Sequence, residues 1–153
     1  MARSTATRVS GAFTPGASAH GALDCIGAAQ ELTFMGTGPG ECRTINSVSL
    51  LIADGTAVTT TWQVHLYDVT PPSAIADNGV FDITAADRAV YLGFFTIGQT
   101  TDTGSTQYAE SSSWVGKQIK LRGTSVFAYL VAVSAITPAA VTHTVTIHST
   151  LAE

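Results

Sequence analysis

Residues 58–67 have the sequence VTTTWQVHLY, in which apolar and polar side chains alternate. A period of two is typical of a β-strand with one buried face and one exposed face. The apolar face is formed by Val58, Trp62, Val64 and Leu66. We therefore expect Trp62 to lie in the core and His65, which has the opposite parity, to point outward.

The same alternation recurs along most of the chain. It is seen in residues 45–52 (INSVSLLI), 91–97 (YLGFFTI) and 141–148 (VTHTVTIH). In residues 141–148 the valines and Ile147 are expected to face inward and the threonines outward. Residues 125–133 (SVFAYLVAV) are apolar at both parities, which indicates a central strand covered on both faces.

Turn signals separate these strands and define the fold class. Asp54-Gly55 predicts a tight hairpin that joins residues 45–52 to residues 58–67. Seven or eight short strands and no long helix predict an all-β fold, either an antiparallel β-sandwich or a jelly roll.

Other polar segments are predicted to be turns and loops. The aspartates at 77, 82 and 87 fit turn and cap positions, and residues 84–87 predict one short helical turn. Residues 99–113 are rich in threonine, serine and glycine, and they predict a long loop that contains an edge strand around residues 106–109.

Length and composition limit the possible classes of protein. The 153 residues suit a single domain. Charged residues make up only 12% of the chain, where soluble domains have about 25%, so small polar residues must cover much of the surface. Such a surface suits a protein whose neighbours are other proteins. A net charge of −4 offers no footprint for nucleic acid, and the longest apolar run, residues 126–133, is too short to span a membrane.

The N-terminal residues 1–22 are predicted to form a flexible or extended arm, followed by a β-sandwich domain at residues 23–153. Phe13 is the only large apolar side chain in the arm, and the charged side chains are Arg3 and Arg8. A basic arm on an acidic domain suits contact with a neighbouring subunit, and a frayed terminus is the alternative. No apolar signal-peptide segment follows the arginines, so synthesis in the cytoplasm is expected.

The sequence predicts no catalytic, cofactor-binding or metal-binding residues, and we expect the protein not to be an enzyme. It lacks the G-x-S-x-G turn of serine hydrolases, and the glycine-rich residues 36–40 lack the Lys-Ser/Thr ending of a phosphate loop. His143 and His148 have opposite parities on one strand and cannot share an ion. Cys25 and Cys42 are expected to be separate thiols, with one disulfide as the alternative.

Trp114 follows a run of three serines next to the predicted loop. An exposed tryptophan there would serve a protein partner or a sugar. The alternative is that Trp114 anchors the loop on the edge of the sandwich.

The order of these elements resembles a group of small structural proteins of tailed bacteriophages. The resemblance covers residues 23–150 and is a pattern of turns and alternation. In the first half of the chain it is carried by residues 23–27 (LDCIG), 32–34 (LTF), 36–40, 45–50 (INSVSL), 64–68 (VHLYD) and Pro71-Pro72. In the second half it is carried by residues 76–81 (ADNGVF), Asp87, 92–94 (LGF) and the two strands 127–131 (FAYLV) and 141–147, with Thr137-Pro138 between them.

The resemblance implies a virion protein, made in the host cytoplasm, that decorates the outside of the capsid as a cement protein. Its partners would be the major capsid protein and two further copies of itself in a homotrimer, with an arm that locks adjacent capsomers. The candidate contact residues are Arg3, Arg8, Phe13 and Trp114. Deleting residues 1–22 is expected to leave the fold intact and to weaken capsid binding. The alternative function is a carbohydrate-binding or adhesion module on a virion or tail surface, using Trp114 and residues 99–113.

Overall fold

The computed structural model describes residues 6–56, 58–111 and 116–152, and these residues form ten β-strands and no helix. None of these segments is therefore a helix that could cross a membrane. The strands in chain order are β1 (Ala6–Phe13), β2 (Gln30–Leu32), β3 (Cys42–Ile52), β4 (Trp62–Tyr67), β5 (Tyr91–Ile97), β6 (Thr101–Asp102), β7 (Gln107–Ser111), β8 (Lys117–Lys120), β9 (Val126–Ala132) and β10 (His143–Leu151).

The strands form two antiparallel sheets. The six-stranded sheet has the order β1-β10-β3-β7-β6, and β8 pairs with β3 beyond the end of β7. The four-stranded sheet has the order β2-β9-β4-β5. β3 has one extra residue, Asn46, opposite the step from His148 to Ser149 of β10. β5 has one extra residue, Leu92, opposite the step from Leu66 to Tyr67 of β4, and the neighbouring Gly93 has a φ of 109°, which favours glycine. The predicted all-β fold with antiparallel sheets is thus confirmed.

The main core lies between the two sheets. Its side chains come from alternate positions of β3, β4 and β10, as the period of two predicted, and Trp62 is fully buried. The central position predicted for residues 125–133 is also confirmed, because β9 lies between β2 and β4 and is buried over most of its length. Both cysteines are free thiols.

The predicted hairpin at Asp54-Gly55 is wrong. β3 pairs with β10, β7 and β8, whereas β4 belongs to the other sheet, so Asp54-Gly55 connects the two sheets. The connection is held by the fully buried Gln107, whose amide group donates to the carbonyl oxygens of Asp54 and Thr56. A turn signal in the sequence specifies a local bend but not the pairing of the strands on either side.

The N-terminal residues differ from the expectation of an arm. Residues 6–13 form β1, which pairs with β10 from Ala6↔Thr150 to Phe13↔His143. Val9 and Phe13 point into the core, and Phe13 is fully buried. The segment lacks enough apolar surface to fold alone, but β10 and the core supply its partners. Deleting residues 1–22 would remove an edge strand and two core side chains, Val9 and Phe13, so the fold is not expected to survive that deletion.

Residues 99–113 also differ from the predicted long loop. Their described part forms β6 and β7, joined by a turn in which the Thr103 amide and hydroxyl both donate to the Thr106 carbonyl at 2.8 Å. β7 is not an edge strand at residues 107–108, because β6 pairs with it there. Gln107 ties the strand to the domain by accepting a hydrogen bond of 2.6 Å from Thr100 Oγ1.

Candidate interaction surfaces

The outward side of β1, β10, β3 and β7 in the six-stranded sheet is a surface that we call the open face. Ser10, Leu51 and Glu110 are exposed on it, whereas Thr146 and Ser49 at its centre are 6% and 9% exposed. Successive rows across β1, β10, β3 and β7 contain mainly serine, threonine and alanine. The rows are Ala12, Thr144, Leu51 and Tyr108; Ser10, Thr146, Ser49 and Glu110; and Arg8, His148 and Ser47. Only Arg8 and Glu110 in these rows carry a formal charge when histidine is neutral. The open face is therefore the charge-poor surface that the composition predicted.

One pair of large side chains interrupts this polar surface. Leu51 and Tyr108 lie opposite each other on β3 and β7, and they are 42% and 41% exposed. Tyr108 donates a long hydrogen bond of 3.4 Å to Glu110 Oε2. An exposed leucine next to a tyrosine is the type of contact point found near the centre of protein interfaces.

The predicted contact residues fall in different environments. Arg8 is exposed at the β1 edge of the open face, opposite His148. Phe13 lies on the other side of β1 and is fully buried in the core, so it is not on the surface. Arg3 and Trp114 lie outside the described residues, and their roles stay predictions. Of the four residues, the structure thus places only Arg8 on an accessible surface of the described chain.

The outward side of the four-stranded sheet is buried, and we call it the covered face. Residues 68–90 pack over β4, β9 and β5 and form a second apolar cluster around Tyr67, Tyr129 and Val131. Tyr129 links the two layers, because its hydroxyl donates to Ser73 O at 2.6 Å and accepts from Ile75 N at 3.0 Å. This layer was not predicted from the alternation of β4.

His65 lies at the centre of the covered face and not on the exposed surface that its parity predicted. Its ring packs against Phe81 with the centroids 3.9 Å apart and the planes tilted by 35°, and it stacks on Phe94 with the centroids 5.1 Å apart. Nδ1 accepts from Tyr91 Oη at 2.8 Å, and Nε2 donates to Gln63 Oε1 at 3.1 Å, so the neutral ring satisfies both contacts. Burial lowers the pKa of His65 from 6.5 to about 4.

Asp77 and Asp87 anchor loops, as their predicted turn and cap roles require. Asp77 accepts hydrogen bonds from Gly16 N at 2.8 Å and Gly27 N at 2.7 Å, and it pairs with His20 Nε2 at 3.0 Å. Burial opposes the ionised form of Asp77, but these bonds outweigh it and lower its pKa. Bonds to Asp87 from Ser73 and Thr84 likewise outweigh burial and lower the pKa of Asp87.

A metal site and a cleft are two further kinds of functional site that side chains can form. Within the described ranges, no group of three histidine, cysteine or carboxylate side chains lies close enough to hold a metal ion. At the end of the sandwich where β8 finishes, a cleft of about 460 Å³ is lined by Pro39, Gly40, Asp68, Leu92, Lys120, Leu121 and Arg122. Sequence reasoning missed this cleft, although three of the seven basic residues lie within residues 117–122.

Comparisons with known proteins give similarities to solved structures but no family. No family model matches the chain, and no curated protein matches it significantly. Among solved structures, the chain is similar to one described as "Cyanophage Pam1 capsid asymmetric unit", with a TM-score of 0.46 and 17% identity over 97% of this chain and 86% of that chain. A similarity at this level assigns neither a family nor a function.

Proposed function

We propose that this chain is a non-catalytic structural protein of a tailed-bacteriophage virion. It binds the outside of the head as a decoration protein, forms a homotrimer and stabilises the expanded capsid lattice. The observation that carries the proposal is the open face, where four strands present a surface of small polar side chains with Leu51 and Tyr108 exposed at one end.

The open face suits a surface that neighbouring proteins cover. Hydrogen bonds from serine and threonine depend less on salt than ion pairs do. The short side chains also lose little conformational freedom when a partner covers them. Three copies of such a face sum several weak contacts through avidity.

Lattice stabilisation follows from mass action. A subunit that binds only the expanded lattice lowers the free energy of that state in proportion to the logarithm of its free concentration over its Kd. No chemical step is needed, and the subunit has only to distinguish two geometries of the same capsid protein.

The experiment uses heads of the phage that encodes this chain, isolated in the expanded state without the protein. Light scattering is expected to give a trimer of the 15.8 kDa chain, and the protein is expected to co-sediment with expanded heads but not with unexpanded ones. Arg8→Glu, at the edge of the open face, should weaken binding at least about threefold.

The matched control is Arg88→Glu, which makes the same change of charge at an exposed position outside the open face. It should leave binding unchanged. A protein that fails to co-sediment with expanded heads would overturn the proposal.

A further inference from the structure

The cleft at the end of β8 combines an apolar wall with two cations. Leu92 and Pro39 line it, and Lys120 and Arg122 lie along its rim. Lys120 is exposed and forms no ion pair with any described residue. Lys117 Nζ donates to the Leu92 carbonyl oxygen at 2.8 Å, which adds a third positive charge next to the cleft. On an acidic chain this is a local site for a negative group.

Asp68 supplies the second feature of the site. Its Oδ2 atom pairs with Arg122 Nε at 3.0 Å, whereas Oδ1 is buried and has no hydrogen-bond partner among the described residues. A buried carboxylate oxygen without a donor is costly, so the Asp68 side chain is held here by its ion pair with Arg122. The ion pair fixes the Arg122 guanidinium at the cleft.

The cleft continues past Arg122. Asp68 and Arg122 also line a second cleft of about 280 Å³, which reaches Glu31, Thr124 and Phe127. The Asp68–Arg122 ion pair lines both clefts. Their shape suits an extended ligand that crosses the ion pair and not a compact one.

We propose that these two clefts form a binding groove for an extended acidic peptide segment of a partner protein. Carboxylates of the peptide pair with Lys120 and Arg122, and an apolar side chain packs on Leu92. A phosphate-rich ligand fits less well, because it brings no apolar side chain to pack on Leu92. The inference does not depend on the virion function.

The probe is a fluorescein-labelled octapeptide in which aspartate alternates with leucine, titrated against the full chain in fluorescence anisotropy. The comparison peptide has asparagine in place of each aspartate. The acidic peptide is expected to bind saturably and more weakly as salt rises. Lys120→Glu should weaken its binding about three- to tenfold, because an exposed attraction becomes a repulsion.

The control variant is Arg8→Glu, which makes the same change of charge on the open face and should leave peptide binding unchanged. Amide chemical shifts in NMR spectra should move at Gly40, Leu92 and Gly123 when the acidic peptide is added. Absence of saturable binding, equal binding of the two peptides, or equal weakening by the two variants would each overturn the proposal.

Discussion

The open face and the covered face are both outward sides of antiparallel sheets, yet one is exposed and the other is buried. On the open face the outward positions of β1, β3 and β10 are mainly serine, threonine and alanine. On the covered face they include His65, Tyr67 and Tyr129, over which residues 68–90 pack. The covered face is thus completed by its own chain, whereas the open face is left for a solvent or protein neighbour.

This difference between the two faces separates residues that stabilise the fold from residues that bind a partner. Substitutions beneath either face should change the stability of the fold, whereas substitutions on the open face should change binding and leave the fold intact.

The largest expected effect comes from the core beneath the open face. Phe13→Ala removes a fully buried aromatic side chain from β1, and we expect it to lower the free energy of unfolding by about 3–5 kcal/mol, measured by urea denaturation. Ala12→Ser, at the neighbouring exposed position, is the control and should have little effect. A loss below about 1 kcal/mol for Phe13→Ala would show that β1 behaves as a detachable arm.

The covered face should make stability depend on pH. His65 is buried as the neutral ring, so the unfolded chain binds more protons than the folded chain between pH 6.5 and about 4. The contribution of neutral His65 to the free energy of unfolding is complete above pH 6.5 and is lost as the pH falls toward 4. Its total is on the order of 3 kcal/mol. Urea denaturation at several pH values measures it.

The control for this pH dependence is His65→Phe, which keeps an aromatic ring in the cluster and removes the titration. Burial also lowers the pKa of His143, which adds a slope of the same sign, so the difference between wild type and variant is the quantity to compare. Asp77 and Asp87, with lowered pKa values, contribute only near and below their ordinary value of 3.8. An unchanged slope in His65→Phe would contradict the assignment.

The smallest effect on stability is expected on the open face. Replacing Leu51 and Tyr108 by serine should change the free energy of unfolding by no more than about 1 kcal/mol, because both are substantially exposed. The same double variant should lose binding to expanded heads in co-sedimentation. Phe34→Ser is the control, since Phe34 is 77% exposed but lies outside the open face. Full binding by the Leu51 and Tyr108 double variant would show that the open face is not the contact surface.

The sequence predicted those features that depend on one strand alone. The two-sided apolar pattern of residues 125–133 identified a central strand, and the parity of Trp62 identified a core side chain. In both cases the side chains of a single segment contain the information.

Features that depend on distant pairing were not predicted. Residues 6–13 contain little apolar surface, and only their pairing with β10 makes them a strand. The parity of His65 correctly excludes it from the main core, but nothing in β4 indicates that residues 68–90 cover the other face. The groove likewise brings together Asp68 and Arg122, which lie 54 positions apart in the sequence. Periodicity is a property of neighbours in sequence and does not report such contacts.

The pairing of β1 with β10 also has a consequence for folding during synthesis. β1 leaves the ribosome before the other nine described strands, but Ser10 meets its hydrogen-bonding partner Thr146 only after 136 further residues have been made. Contacts of such long sequence separation form slowly, and an unpaired strand is exposed to aggregation in the meantime. The arginine, glycine and serine of β1 keep this strand hydrophilic until it pairs with β10. The composition that makes residues 6–13 resemble an arm is therefore also suited to a strand that must remain soluble until the last strand is complete.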